Sequence, residues 1–222
     1  MKRKTDDRNS TLYGSSKELN REYFLQPKSL WQHIYDFFGI PLRMILLPDK
    51  VSRKFGLTSL QDERIRAVMQ LIKGKLLDIG AGDNLLVNTY GNGTGVDVFD
   101  FGGGAMIVED TRQLPFDDES FETITFLACL NHIPYRQEVL KEAFRLLKPG
   151  GKVIATMISP LVGKIGHKIW WYSEEKHRGM AEGEEMGIGR TDMFILLKNA
   201  GFADIQEQSF FYHMNHLYHG TK

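Results

Sequence analysis

Along the first third of the chain the apolar residues recur at helical spacing. Between Lys17 and Phe38, Leu19, Tyr23, Phe24, Leu30, Ile34, Phe37 and Phe38 mark two short helices with Pro27 between them. Residues 1–16 are polar and charged and read as a mobile tail, because they offer little apolar surface to offset ordering. Pro41 and Pro48 break Leu42–Leu47 into a loop or a short turn of helix. Ser59-Leu60-Gln61-Asp62 is a capping-box variant, and the stripe Leu60, Ile65, Val68, Met69 and Ile72 predicts a helix that ends at Gly74.

From Lys75 the pattern changes to short apolar runs alternating with helical segments. Strands are expected over Lys75–Ile79, Gly95–Val98, Ala105–Val108, Glu122–Leu127 and Lys152–Met157, with helices over Asn84–Tyr90 and Tyr135–Leu147. Residues 159–189 interrupt the alternation with a helix expected over Val162–Lys176. A helix capped by Thr191 then runs to Asn199, and Phe202–Ile205 and Ser209–His213 read as two closing strands. The expected architecture is an α/β doubly wound, mostly parallel seven-stranded sheet. An amino-terminal helical lobe, residues 17–58, is expected to act with the insertion 159–189 as a lid on the domain 59–222.

Length permits one such domain and a modest extension, since 222 residues with 42% hydrophobic content fill a single α/β core. The 28 Lys and Arg balance the 28 Asp and Glu, which removes a global field for nucleic acid. Cys129 stands alone, so no internal disulfide forms, and the amino terminus lacks the apolar core of a signal peptide. No run approaches the 18 or so apolar residues of a membrane span. The expected setting is the cytoplasm.

Candidate chemistry gathers at the strand ends. Leu76-Leu77-Asp78-Ile79-Gly80-Ala81-Gly82 is a buried strand that stops in a Gly-x-Gly turn, where the missing Cβ atoms let the backbone approach a ligand. Asp97 closes the second strand, placed for ribose hydroxyls with Asp100 as competitor. Asp110 and Thr111 follow the third, facing an adenine edge or capping the next turn. A dinucleotide fingerprint would need a small residue where Leu85 stands, which disfavours a nicotinamide-dependent enzyme.

With Leu114-Pro115-Phe116, Asp118-Glu119-Ser120-Phe121 and Leu146-Leu147-Lys148-Pro149-Gly150-Gly151 at these distances, residues 75–158 resemble the class I S-adenosylmethionine-dependent methyltransferases, in particular their small-molecule, type 11-like branch. The resemblance implies a Rossmann-like fold, S-adenosyl-L-methionine as cofactor and no metal. It implies a cofactor site of Asp78, Gly80, Ala81, Gly82, Asp97, Val98, Asp110, Thr111 and Leu127. In it Asp78 orients the glycine turn and approaches the methionine amino group. Phe99 and Leu114 either sandwich the adenine or pack in the core, which asks for the same residue types. Two departures stand out. Asn84 replaces a frequent third glycine, and the residues between Val98 and Met106 are too few for the usual crossover helix.

The nucleic-acid and protein-amide branches carry an Asn/Asp-Pro-Pro-aromatic tetrad where this chain has Leu127-Ala128-Cys129-Leu130, so the expected acceptor is a small molecule. Trp170, Trp171, Tyr172, His167 and His177, with Trp31, Phe37 and Phe38, either wall an apolar acceptor pocket or form the core of their helices. Leu30–Leu47 suits peripheral contact with a lipid surface if the acceptor is lipid-linked. His132, in the loop after the fourth strand, is the candidate general base for a hydroxyl or carbon acid. A catalytically inactive partner subunit of the same fold is the other reading.

Overall fold

Asn20 and Ser29 start helices because their short side chains take up an orphan amide. Asn20 Oδ1 accepts from Tyr23 N and Ser29 Oγ from Gln32 N, opening α1 (Arg21–Leu25) and α2 (Leu30–Phe38) on either side of Pro27. The computed structural model describes residues 20–40, 49–159 and 187–222. The expected tail 1–16, the Leu42–Leu47 loop and the Val162–Lys176 helix, with His167, Trp170, Trp171, Tyr172 and His177, lie outside the described residues. After α3 (Asp49–Lys54), both halves of the capping box form at α4 (Leu60–Met69). Ser59 Oγ accepts from Asp62 N at 3.1 Å, and Asp62 Oδ2 accepts from Ser59 N at 3.3 Å.

The alternation then builds β1 (Leu76–Ile79), α5 (Leu85–Tyr90), β2 (Gly93–Asp97), β3 (Met106–Ile107), β4 (Phe121–Leu127), α6 (Arg136–Leu146), β5 (Leu147–Ile158), α7 (Arg190–Ala200), β6 (Ala203–Phe210) and β7 (Asn215–Thr221). The seven strands form one sheet in the order β3-β2-β1-β4-β5-β7-β6. All neighbours are parallel except β7, which runs antiparallel to β5 and β6. The doubly wound, mostly parallel architecture is therefore as the sequence predicts. β1 is buried along its whole length because helices cover both faces of the sheet. Leu77, Ile79, Ile124 and Phe126 pack with α6 and α7 on one side, and Leu76 and Ile154 pack with α4 and α5 on the other.

Three boundaries depart from expectation. Thr191 sits inside the first turn of α7, and the cap position belongs to Gly189, which makes no side-chain bond. The Lys148–Gly151 stretch lies within β5 as an irregularity, between the pairs Phe121↔Leu147 and Thr123↔Lys152. The last strand is Asn215–Thr221, and Ser209–His213 divides between the end of β6 and the turn that follows. Its residues Phe211, Tyr212 and His213 all have left-handed backbones, with φ of 49°, 55° and 61°. That geometry turns the chain back without a glycine to announce it.

The short β2–β3 connection is a loop with no helix. It is held by Asn88 Nδ2, which donates to Gly103 O at 3.1 Å, and by contact with the backbone of Asp83. A Cβ on Gly103 would stand 1.9 Å from Asp83 O, so that position requires glycine.

Candidate functional site

In an open α/β sheet, ligands bind where the strand order reverses, at the carboxyl ends of the strands. Here that point is β1, which has β2 on one side and β4 on the other. The chain leaves β1 through Gly80 and Gly82, both left-handed with φ of 75° and 56°, and enters α5. The two glycines do different jobs. A Cβ on Gly80 would meet Cys129 Cβ at 2.7 Å and Sγ at 2.8 Å, whereas one on Gly82 would meet nothing within 4 Å. Gly80 thus permits packing against the end of β4, where the Cys129 thiol donates to Ile79 O, and Gly82 keeps space open above the strand. A side chain at position 80 would strike Cys129 before it reached the space above the strand.

The turn amides face protein acceptors. Gly80 N and Ala81 N both donate to Val96 O, and Gly82 N donates to Asp97 Oδ2 at 2.8 Å. Asp97 is buried at the end of β2, and its other oxygen accepts from Phe99 N at 3.1 Å. Its carboxylate therefore ties the end of β2 to the glycine turn and stands at the strand end where a ribose would lie. The competitor Asp100 is exposed, and its Oδ1 accepts from Gly102 N at 2.7 Å. Asn84 explains the absent third glycine. It is left-handed with φ 58°, a conformation that asparagine tolerates, and its amide reaches Gly103 O at 3.4 Å.

Beneath the turn lies Asp78, 2% exposed, which accepts from Thr125 Oγ1 at 2.6 Å. Burial, with added repulsion from Asp97 and Asp83, pushes its carboxyl up to about 7 despite that bond. Burial also pushes the Cys129 thiol up. Carboxylates therefore converge on this turn from two strand ends, Asp78 on β1 and Asp97 on β2, and from Asp83 at the start of α5. Asp83 holds α5 and α4 together, accepting from Leu85 N and from Gln61 Nε2.

The remaining predicted residues spread along the same edge. Val98 is exposed, and Leu127 packs partly buried at the end of β4. Asp110 closes its own turn, accepting from Arg112 N at 2.8 Å and pairing with the guanidinium, which holds its carboxyl below the usual range. Thr111 is half-buried beside it. Leu114 belongs to the main core, so of the expected adenine sandwich only Phe99, half exposed, faces outward. His132 ends a single turn of 3-10 helix after β4, Leu130–His132, and is exposed. Asn131 Nδ2 lies 3.0 Å from its Nε2, which occupies one ring nitrogen. Arg136 pins this loop by donating to Leu130 O and Asn131 O.

Sequence reasoning missed an apolar cluster beside the carboxyl end of β5. It joins Leu60 and Phe211 with Ile40, Ile158 and Met214, which come together only through the left-handed turn. A pocket of about 290 Å³ lined by Lys73, Glu122 and Lys148 lies at the opposite ends of the strands, away from this chemistry. Among the described residues no helix is long and apolar enough to cross a membrane, and no cluster is arranged to hold a metal ion.

Residues 77–155 match the family model described as a methyltransferase domain. Among curated proteins, the chain is 28% identical over 136 residues to a demethylmenaquinone methyltransferase of Geobacillus sp. (strain WCH70), covering 53% of this chain and 56% of that one. It is 27% identical over 117 residues to the ubiquinone/menaquinone biosynthesis C-methyltransferase UbiE of Bartonella bacilliformis, covering 46% and 45%. The chain thus spans about half the length of these relatives. In fold it is similar to a SAM-dependent methyltransferase of Thermotoga maritima, with a TM-score of 0.61 at 18% identity over 86% of this chain and 95% of that one. A SAM-dependent methyltransferase from Archaeoglobus fulgidus gives 0.58 at 13% identity over 78% and 98%.

Proposed function

We propose that this chain, whose residues 77–155 match a methyltransferase domain and whose fold is similar to that of SAM-dependent methyltransferases, transfers a methyl group from S-adenosyl-L-methionine to a small molecule. The observation that carries the reading is the glycine turn at the point of strand reversal, with Asp97 buried at the neighbouring strand end. These residues suit the methyl donor. Gly82 leaves space above β1, Asp97 offers lone pairs to vicinal hydroxyls, and Asp78 is a buried acid suited to a cationic group. When bound, the donor supplies a sulfonium methyl that an acceptor takes by in-line displacement. The protein's part is then to align the two, an effect worth on the order of 7–11 kcal/mol.

The acceptor in this reading is a small apolar ring compound. In this reading it meets the apolar cluster of Leu60, Ile158, Phe211 and Met214 near the strand ends. The quinone-pathway names of the relatives make a demethylated quinol the first acceptor to try. His132 is the proposed base for a carbon or hydroxyl acceptor. His132→Asn should lower turnover about a hundredfold with cofactor affinity unchanged, and a wild-type rate would remove the assignment. The lone cysteine fits a reducing cytoplasm.

The test is calorimetry with S-adenosylhomocysteine and with NAD. S-adenosylhomocysteine should bind and NAD should not. Asp97→Ala should weaken S-adenosylhomocysteine about tenfold to a hundredfold, the worth of one or two charged hydrogen bonds. An unchanged affinity in a folded variant would move the ribose contact away from Asp97, and binding of NAD in place of the homocysteine would overturn the reading.

A further inference from the structure

Helix α2 is turned inside out. The side that meets α3 and α4 is polar, with Phe37 packing on Tyr212 at its edge, ring centroids 5.4 Å apart: Asp36 is fully buried and accepts from Lys28 Nζ, Gln32 Nε2 and Thr58 N at 2.9, 2.9 and 3.0 Å. Lys28 bridges on to Glu63 at 2.5 Å, and Gln32 also donates to Gly56 O. At 3.6 residues per turn the opposite side carries Leu30, Ile34 and Phe38, flanked by Trp31. Leu30, Trp31 and Phe38 are 74%, 79% and 76% exposed. The surface continues onto Phe55, 59% exposed, whose carbonyl accepts from Tyr35 OH at 2.9 Å.

This orientation is fixed from within. Rolling the helix over to hide its apolar side would break the Lys28–Asp36–Glu63 cluster and leave Thr58 N without its acceptor. A contiguous apolar face held outward in this way marks a surface made for a partner.

We propose that α2 docks this chain on an anionic phospholipid bilayer, with Leu30, Trp31, Ile34 and Phe38 entering the boundary between headgroups and acyl chains. Three features select lipid over a second protein surface. No exposed carboxylate lies between Gln26 and Ile40, because Asp36 is spent internally, and among the described residues next to Phe55 the exposed charge is the cation Lys54. An acid-free apolar face with a basic neighbour suits anionic headgroups. Trp31 and Tyr35 have the amphipathic rings that settle at that boundary. Protein interfaces, by contrast, carry about one hydrogen bond per 100–200 Å² and a polar rim, and this face offers few groups for either. The inference rests on the helix and not on methyl transfer.

The test is sedimentation of the full chain with vesicles of phosphatidylethanolamine and phosphatidylglycerol, with pure phosphatidylcholine alongside. The wild type should partition onto the anionic vesicles and less onto the neutral ones. The double substitution Trp31→Glu with Phe38→Glu should reduce partitioning at least about a hundredfold, since two aromatic side chains no longer leave water. Both positions are exposed, so an unchanged thermal melt verifies the variant's fold independently of lipid. Absence of the wild type from the vesicle pellet would overturn the proposal, as would equal partitioning of the double variant. A lipid-free dimer in sedimentation velocity, dissolved by the same substitutions, would assign the face to a second copy and overturn it too.

Discussion

Alanine at Gly80 should cost the protein its fold margin, whereas alanine at Gly82 should cost it chiefly its ligand. Both positions are left-handed, so either methyl incurs about 1–2 kcal/mol of backbone strain. At Gly80 the new atom also lands 2.7 Å from Cys129 Cβ, an overpacking that adds about 1–3 kcal/mol. The sum, about 2–5 kcal/mol, is a large share of the 5–15 kcal/mol that holds a typical domain together. Urea melts should show this loss for Gly80→Ala, and adding Cys129→Gly should return the overpacking part but not the backbone part. Gly82→Ala should melt closer to wild type yet bind S-adenosylhomocysteine at least about tenfold more weakly, because its methyl stands in the open space above β1. Wild-type affinity in Gly82→Ala would take the ligand away from this turn. Equal stability of the two variants would show that Cys129 moves aside freely.

Asp78 should make both stability and cofactor affinity depend on pH, in opposite directions. Its carboxyl is pushed from the ordinary carboxylate range up to about 7, first by burial. A raised carboxyl favours the protonated folded state. Its contribution is fully present below about pH 4 and is lost as pH rises through about 7, amounting to about 4 kcal/mol at roughly 1.4 kcal/mol per pH unit. Asp78→Asn, which has no proton to lose, should flatten this part of the stability profile between pH 4 and 7. A bound cationic group reverses the preference by favouring the carboxylate. S-adenosylmethionine affinity should therefore rise through about pH 7 with proton release, read by calorimetry in buffers of different ionisation heat. The slope should vanish in Asp78→Asn. Parallel profiles for the two proteins would mean that Asp78 titrates in its ordinary range.

Much of the frame was legible because it rests on local signals. The run Leu76–Ile79 ending in glycines, Asp97 at the next strand end and the Ser59–Asp62 box are each decided within a few residues, and each is present as read. What escaped depends on distant partners. The difference between Gly80 and Gly82 is set by Cys129, about fifty residues away, and no local pattern reports it. The apolar stripe of α2 looks the same in sequence whether it faces in or out; Lys28, Thr58 and Glu63 decide the direction. The closing strands shifted because Phe211, Tyr212 and His213 adopt left-handed backbones that usually announce themselves as glycine. Leu114 illustrates the reverse ambiguity, since a core and a ring sandwich ask for the same side chain.

The truncated crossover between β2 and β3 also bears on how the protein behaves when crowded. It leaves β3 as the edge of the sheet, with Met106 and Ile107 half exposed and, among the described residues, no crossover helix between β2 and β3. An apolar edge invites strand-to-strand association between molecules. At two residues, followed by the turn that Arg112 locks onto Asp110, this edge presents too few unpaired amides and carbonyls to template another strand. The opposite edge, β6, is longer but carries Gln206, Glu207 and Gln208. One border is short and the other carries a charge and a register shift between Ala203 and Gln206, features that disfavour sheet extension.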